Sequence, residues 1–193
     1  YIDISGLLSA DDFYYTDSHW RQERITKVAD EIAAQMGAER IGTCEIQDTG
    51  RPFYGVYYGQ AALPHAPERL FYLDNAVIRG LQVYNVETQS DIPVYDLGAA
   101  AGRDPYEMFL GGARSIIKIT NPNAAQERRL IVFRDSFGSS IAPLLAAGYS
   151  EITLVDIRYI SPLSLGKLID FTKADDVLFL YSASVINNSE TIK

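Results

Sequence analysis

Ser136 lies in Arg134-Asp135-Ser136-Phe137-Gly138, directly after the apolar run Leu130–Phe133 and before a stretch with helical spacing. A serine between a strand end and a helix start can turn its hydroxyl into the crevice where open α/β sheets collect ligands. The backbone N–H groups that follow, beginning with Phe137, have no intrahelical acceptor and can stabilise an oxyanion. A serine hydroxyl is a weak nucleophile until a base takes its proton. The chain has two histidines. His65 is flanked by Pro64 and Pro67 and reads as a surface loop residue. His19 lies in Thr16-Asp17-Ser18-His19-Trp20, where Asp17 can bond the far ring nitrogen, fix the tautomer and stabilise the imidazolium. These are the parts for acyl transfer through a serine ester, with Ser136 as nucleophile, His19 as base and Asp17 as orienter. Each has a plainer use: Asp135 or Ser136 can cap the following helix, and so can Asp17 or Ser18. Capping and catalysis are compatible. His19 and Ser136 are 117 residues apart, so only the fold can join them.

The elements that must do so are legible in part. Ile25, Val28, Ala29, Ile32, Ala33 and Met36 recur at helical spacing, and Gly37 closes that helix. Residues 40 to 125 read as strands and loops. Phe53–Tyr58 is strand-like, Leu63–Pro67 is a loop, and Leu81–Val86, Ile92–Tyr95 and Ser115–Ile119 are short strand candidates. From Arg129 the pattern is β-α-β-α-β: runs at 129–133, 152–155 and 177–181, with a helix to Ala147 and another over Leu163–Phe171. Pro143 is expected near the start of the first of these helices. Continuous apolar strands between helices predict a parallel sheet covered on both faces. The whole chain, 1–193, is expected to be one α/β domain with a strand- and loop-rich insertion at about 45–112.

Bulk properties remove several functions. The net charge is −8, and no Lys/Arg cluster stands out, which argues against nucleic acid and against an anionic membrane surface. Cys44 is the one cysteine, so no internal disulfide exists; without a CxxC or Cys/His cluster a structural zinc is not expected, and no cofactor is. No run of ~18 apolar residues suggests a membrane span. The chain opens on Tyr1 rather than Met, as a trimmed form would. Its 13 tyrosines suit flat polar ligands such as sugars, if they are exposed, or a tyrosine-rich core, if they are not.

The motif Asp17-Ser-His-Trp20 and its following helix resemble the Asp-x-His-Trp motif of the DHHW family of bacterial proteins, related to the domain of alginate O-acetylation proteins. Asp104–Gly112, Leu130–Gly138, Pro143–Leu145 and Leu154–Tyr159 fit the same pattern in the same order. There are departures: Ser18 stands where the family has a first histidine, Arg21 where threonine is common, and Ala113 where asparagine follows the glycines. The resemblance implies an SGNH-hydrolase-like (flavodoxin-like) three-layer fold with a central parallel sheet, permuted so that the Asp–His pair precedes the serine. It implies a Ser136–His19–Asp17 triad acting on acetyl esters, with Gly112 and Asn121 as candidate oxyanion donors. Arg158 matches a strand-end position, suited either to binding substrate or to pairing with Asp156 or Asp135. An extracytoplasmic location follows from the same source.

The expected function is thus an ester-active serine hydrolase or O-acetyltransferase acting on a cell-surface carbohydrate polymer. Water or a sugar hydroxyl would resolve the acyl-enzyme. The alternative is a non-catalytic binding or assembly module with a degenerate site. A third reading places Mg²⁺ on Asp135 and Asp156 for phosphoryl chemistry, but the loop has no Gly-Lys-Ser/Thr phosphate cradle.

Overall fold

The computed structural model describes residues 1–61, 65–188 and 190. Two strands, β1 (Glu45–Phe53) and β2 (Glu68–Asp74), form an antiparallel ribbon. Six others form the main sheet: β3 (Gln82–Asn85), β4 (Ser90–Ile92), β5 (Ile116–Thr120), β6 (Arg129–Arg134), β7 (Glu151–Val155) and β8 (Asp176–Leu180), in the order β4-β3-β5-β7-β6-β8. The helices are α1 (Thr26–Gln35), α2 (Val56–Ala61), α3 (Ala76–Gly80), α4 (Phe137–Leu145), α5 (Pro162–Leu168) and α6 (Ala183–Asn187).

The sheet is mixed, which corrects the expected parallel sheet. β6 runs parallel to β7 and to β8, while β4, β3, β5 and β7 pair antiparallel in sequence. A tight connection between β3 and β4, with Gln89 at φ 53°, permits only an antiparallel pair. β5 carries no mark of its direction: Ile116, Ile117 and Ile119 are all buried, so it reads as an apolar run like a parallel strand. The segment 45–112 is likewise not set apart from the sheet, since its second half supplies β3 and β4.

Period-two alternation sends each central strand's residues to two cores. On one face Val28 and Ile32 of α1 and Ile141, Leu144 and Leu145 of α4 pack over Ile117, Ile119, Leu130, Val132, Ile152 and Leu154. On the other, Leu165 of α5 and Ile169 pack against Ile116, Ile131 and Val155. The result is three layers, helices on both faces of the sheet.

Smaller expectations also shift. Of Phe53–Tyr58 only Phe53 is strand, and α2 begins at Val56. Leu63 and Pro64 of the expected loop lie outside the described residues. Pro143 falls inside α4 rather than near its start, where it cannot donate to the Ser139 carbonyl, and the helix ends two residues later. No described helix is long and apolar enough to cross a membrane.

Candidate active site

β6 delivers Ser136 to the carboxyl end of the parallel strands, and α4 starts at the next residue. Asp135, buried, ties this elbow on two sides. Its Oδ1 accepts from the Phe137 N–H at 3.0 Å, and its Oδ2 accepts from the Ser182 N–H, just beyond β8, at 2.7 Å. Gly138 lets the helix start directly over the Arg134 side chain, which a Cβ there would overlap. Asp135, not Ser136, is therefore the cap.

His19 reaches the same point from a loop with no regular structure. An isolated bridge between Phe13 and Trp20 closes the loop. His19 Nε2 lies 2.6 Å from Ser136 Oγ, and its Nδ1 lies 2.5 Å from Asp17 Oδ1. A carboxylate only accepts, so Nδ1 carries the proton and Nε2 is left to accept from the serine O–H. Asp17 Oδ1 also accepts from the His19 N–H at 3.0 Å, and Oδ2 from the Val56 N–H at 3.0 Å. Burial pushes the Asp17 carboxyl up, but the bonds from His19 and Val56 outweigh it and hold its pKa below the usual value. Asp17 thus stays ionised at neutral pH.

The ribbon holds this loop. Glu68 of β2 accepts from the Tyr15 N–H at 3.1 Å, and from the Thr16 N–H and hydroxyl at 3.0 and 2.9 Å. The Gly55 N–H donates to Thr16 Oγ1 at 3.0 Å. A Cβ on Gly55 would overlap the Thr16 carbonyl and the Asp17 side chain, so the close approach admits only glycine. The imidazole of His19 stacks on Tyr106, ring centroids 3.9 Å apart and planes 13° from parallel. Ser140 of α4 anchors Tyr106 together with Trp20, the residue after His19 in the chain. Its Oγ takes the Tyr106 O–H at 2.7 Å and the Trp20 indole N–H at 2.8 Å. Burial keeps the Tyr106 phenol neutral, its pKa well above the ordinary range.

Ser136, His19 and Asp17 therefore meet, as the sequence reading expected. Other candidates fare differently. Asn121 follows β5 at the amino end of the parallel strands, with its amide bonded to the Ala146 carbonyl, so it is at the wrong end of the sheet for an oxyanion. The Gly112 N–H donates to the Phe109 carbonyl at 3.1 Å, closing a turn, and the Phe137 N–H is held by Asp135. Arg158 pairs with Asp156 through two bonds, Nε to Oδ1 at 2.9 Å and Nη2 to Oδ2 at 2.6 Å, which favours its structural reading. Fully buried Arg134 also approaches Asp156, its Nη1 3.9 Å from Oδ2. Asp135 and Asp156 are thus both engaged, and among the described residues no cluster of three His, Cys, Asp or Glu could hold a metal ion. His65 is exposed, and Cys44 lies beside Asn75, away from the triad. Sequence reading missed Tyr106, Glu68 and Gly55. Tyr106 lay inside a recognised segment (104–112); Glu68 and Gly55 carry no local signal, since their roles are contacts across the fold.

No family model matches the chain, and no curated relative matches it. Solved structures do. A DHHW family protein from Eubacterium siraeum matches with TM-score 0.70 and 22% identity, over 94% of this chain and 63% of its own. Bacillus cereus PatB1 with a sulfonyl adduct matches with TM-score 0.72 and 22% identity, over 91% of this chain and 62% of that one. A second PatB1 structure gives TM-score 0.66 at 21% identity, over 91% and 64%. The chain spans less than two thirds of each of these neighbours. At this identity the likeness is one of fold: the chain has the fold of a DHHW family protein, the family its ordered motifs resemble.

Proposed function

We propose that this domain transfers acyl groups through Ser136, with His19 as general base and Asp17 as its orienter. The observation that carries the reading is the unbroken line Ser136 Oγ, His19 Nε2, His19 Nδ1, Asp17 Oδ1, with contacts of 2.6 and 2.5 Å. The layered α/β architecture, with the Asp–His pair ahead of the serine, supports the finer view of a permuted SGNH-hydrolase-like domain.

In the proposed reaction His19 Nε2 takes the Ser136 proton as Oγ bonds to the ester carbonyl carbon. The tetrahedral oxyanion collapses, and the leaving alkoxide departs with the proton from Nε2. Water or a sugar hydroxyl then attacks the acyl-serine by the reverse sequence. The Ser136 N–H has no acceptor among the described residues and is the oxyanion donor at hand. The substrate is an acylated carbohydrate or a small acyl ester, met outside the cytoplasm.

PatB1 supports the chemistry to the extent that one of its structures holds a sulfonyl adduct. In this chain the activated hydroxyl able to take one is Ser136. One observation favours the alternative of a binding module: Phe137 and Gly112 already spend their N–H groups, leaving a thin oxyanion hole. Phenylmethanesulfonyl fluoride separates the two readings. An active triad loses fluoride from the reagent, gains one sulfonyl group by mass on Ser136, and releases p-nitrophenol from p-nitrophenyl acetate; Ser136→Ala does neither. Equal labelling and turnover in Ser136→Ala would leave the binding module.

A further inference from the structure

The face of the sheet under α5 changes character along its length. Toward the carboxyl end of the parallel strands, register sets Ile116, Val155 and Phe133 side by side, and Leu165 and Ile169 pack there. One step toward the amino end the row is Lys118, Thr153 and Ile131, and the next holds Glu151 and Arg129. The alternation that sends Ile117 and Ile119 to the core under α1 and α4 sends Lys118 to this opposite face.

This polar floor and the segment 168–174, which leaves α5, enclose a cavity of ≈260 Å³. Leu168 and Ile169 line it with apolar surface, Asp170 and Lys173 with charge. Arg129 opens β6, whereas Ser136 lies beyond its last residue, so the cavity is at the far end of that strand from the triad.

Thr153 is 4% exposed, and its hydroxyl has no hydrogen-bond partner among the described residues. It lines the cavity, and a buried hydroxyl of this kind calls for a partner. Lys118 stands directly across from it in register, and Arg129 one step along. Asp175 accepts from the Arg129 backbone N–H at 2.8 Å, but the Arg129 guanidinium and the Lys118 ammonium make no ion pair among the described residues. Cations without such partners occur elsewhere on this surface; here two converge with a buried hydroxyl on one enclosed space. Asp170 is spent in its own turn, Oδ1 accepting from the Thr172 N–H and hydroxyl and Oδ2 facing Lys173 at 3.6 Å. Glu151 lies opposite Arg129 in register without pairing to it. Two free cations against one acid leave one positive charge to be met. A dianion would bring its second charge against Glu151.

We propose that this cavity is a second binding site, for a small monocarboxylate. The carboxylate accepts the Thr153 O–H and lies between the Lys118 and Arg129 charges, and its short apolar tail rests on Leu168 and Ile169. The volume limits the acid to a few heavy atoms. The site does not depend on the acyl-transfer reading.

The test is a backbone-amide shift titration of the isotope-labelled chain by NMR, at constant ionic strength. The probes are sodium propionate, neutral propionamide, and inorganic phosphate at a pH where it is a dianion. Propionate should move the amides of Lys118, Thr153 and residues 168–174 saturably, and leave those of Asp17, His19 and Ser136 in place. Thr153→Val keeps the shape and removes the donor, and should weaken propionate binding about tenfold. Lys118→Met should weaken it at least as much. The spectra of both variants report their fold, and their turnover of p-nitrophenyl acetate should be unchanged, because neither residue touches the triad. Phosphate binding as tightly as propionate would overturn the monocarboxylate, and propionamide doing so would overturn the anion. No saturable shift, or equal affinity in both variants, would leave a water-filled cavity and overturn the site.

Discussion

Ser136 and His19 sit 2.6 Å apart but are held by opposite means. Ser136 stands on the end of a core strand, between buried Arg134 and Asp135 and a helix that starts at the next residue. His19 stands on an irregular loop fastened from outside by Glu68, Gly55, Val56 and Tyr106. The nucleophile is as rigid as the sheet, whereas the base is as well placed as its borrowed contacts allow. Catalysis in such a site is most sensitive to residues that touch neither substrate nor serine, because a displacement of about 1 Å can cost on the order of a hundredfold in rate.

The sharpest way to break the contrast is Asp17→Asn. It keeps the shape but presents an amide to Nδ1, favouring the wrong tautomer. Turnover of p-nitrophenyl acetate should fall by roughly 10³–10⁴-fold. A loss under tenfold would remove Asp17 from the triad.

Next in size is Gly55→Ala. The added methyl meets the Thr16 carbonyl and pushes the loop off the ribbon. Activity should drop about a hundredfold while the far-UV spectrum of the core persists. Trp20, the single tryptophan, packs edge-on to Phe137 at 5.1 Å and reports the displacement by its emission. Unchanged activity and emission would show that the loop needs no ribbon.

Arg158→Ala probes the serine side. It leaves the buried Asp156 with Arg134 at 3.9 Å as its remaining cation. Urea unfolding should show a loss of about 1–3 kcal/mol, with KM for small esters unaltered. A raised KM at constant stability would restore Arg158 as a substrate contact.

The smallest effect is in pH. The folded Asp17 pKa lies below its unfolded value, so the native state binds fewer protons than the unfolded chain in between. Its contribution is present above the unfolded pKa of about 4 and is lost as pH falls through the folded value. The gap in unfolding free energy between wild type and Asp17→Asn should narrow below that pH. A constant gap from pH 7 to pH 3 would mean that the carboxylate gains nothing from its partners.

The same contrast explains what was legible. The serine elbow could be read because its signals are local: an apolar run, an Asx cap and a glycine within nine residues, 130 to 138. The base was found by chemistry, as the histidine with an acid two residues before it. Its supports were invisible because Glu68 bonds Thr16 from 52 residues away, and Gly55 looks like any turn glycine.

The sequence by itself determined the first helix, the β-α-β-α-β order from Arg129 with the apolar runs that became β6, β7 and β8, and the three residue types of the site. Period and capping are short-range consequences of backbone geometry, so they survive without the fold. The tertiary structure decided the direction of β5, the removal of Asn121 to the far end of the sheet, and the seating of His19 on Tyr106. Each depends on which distant segments pair, and an apolar strand buried on both faces carries no mark of its neighbour's direction.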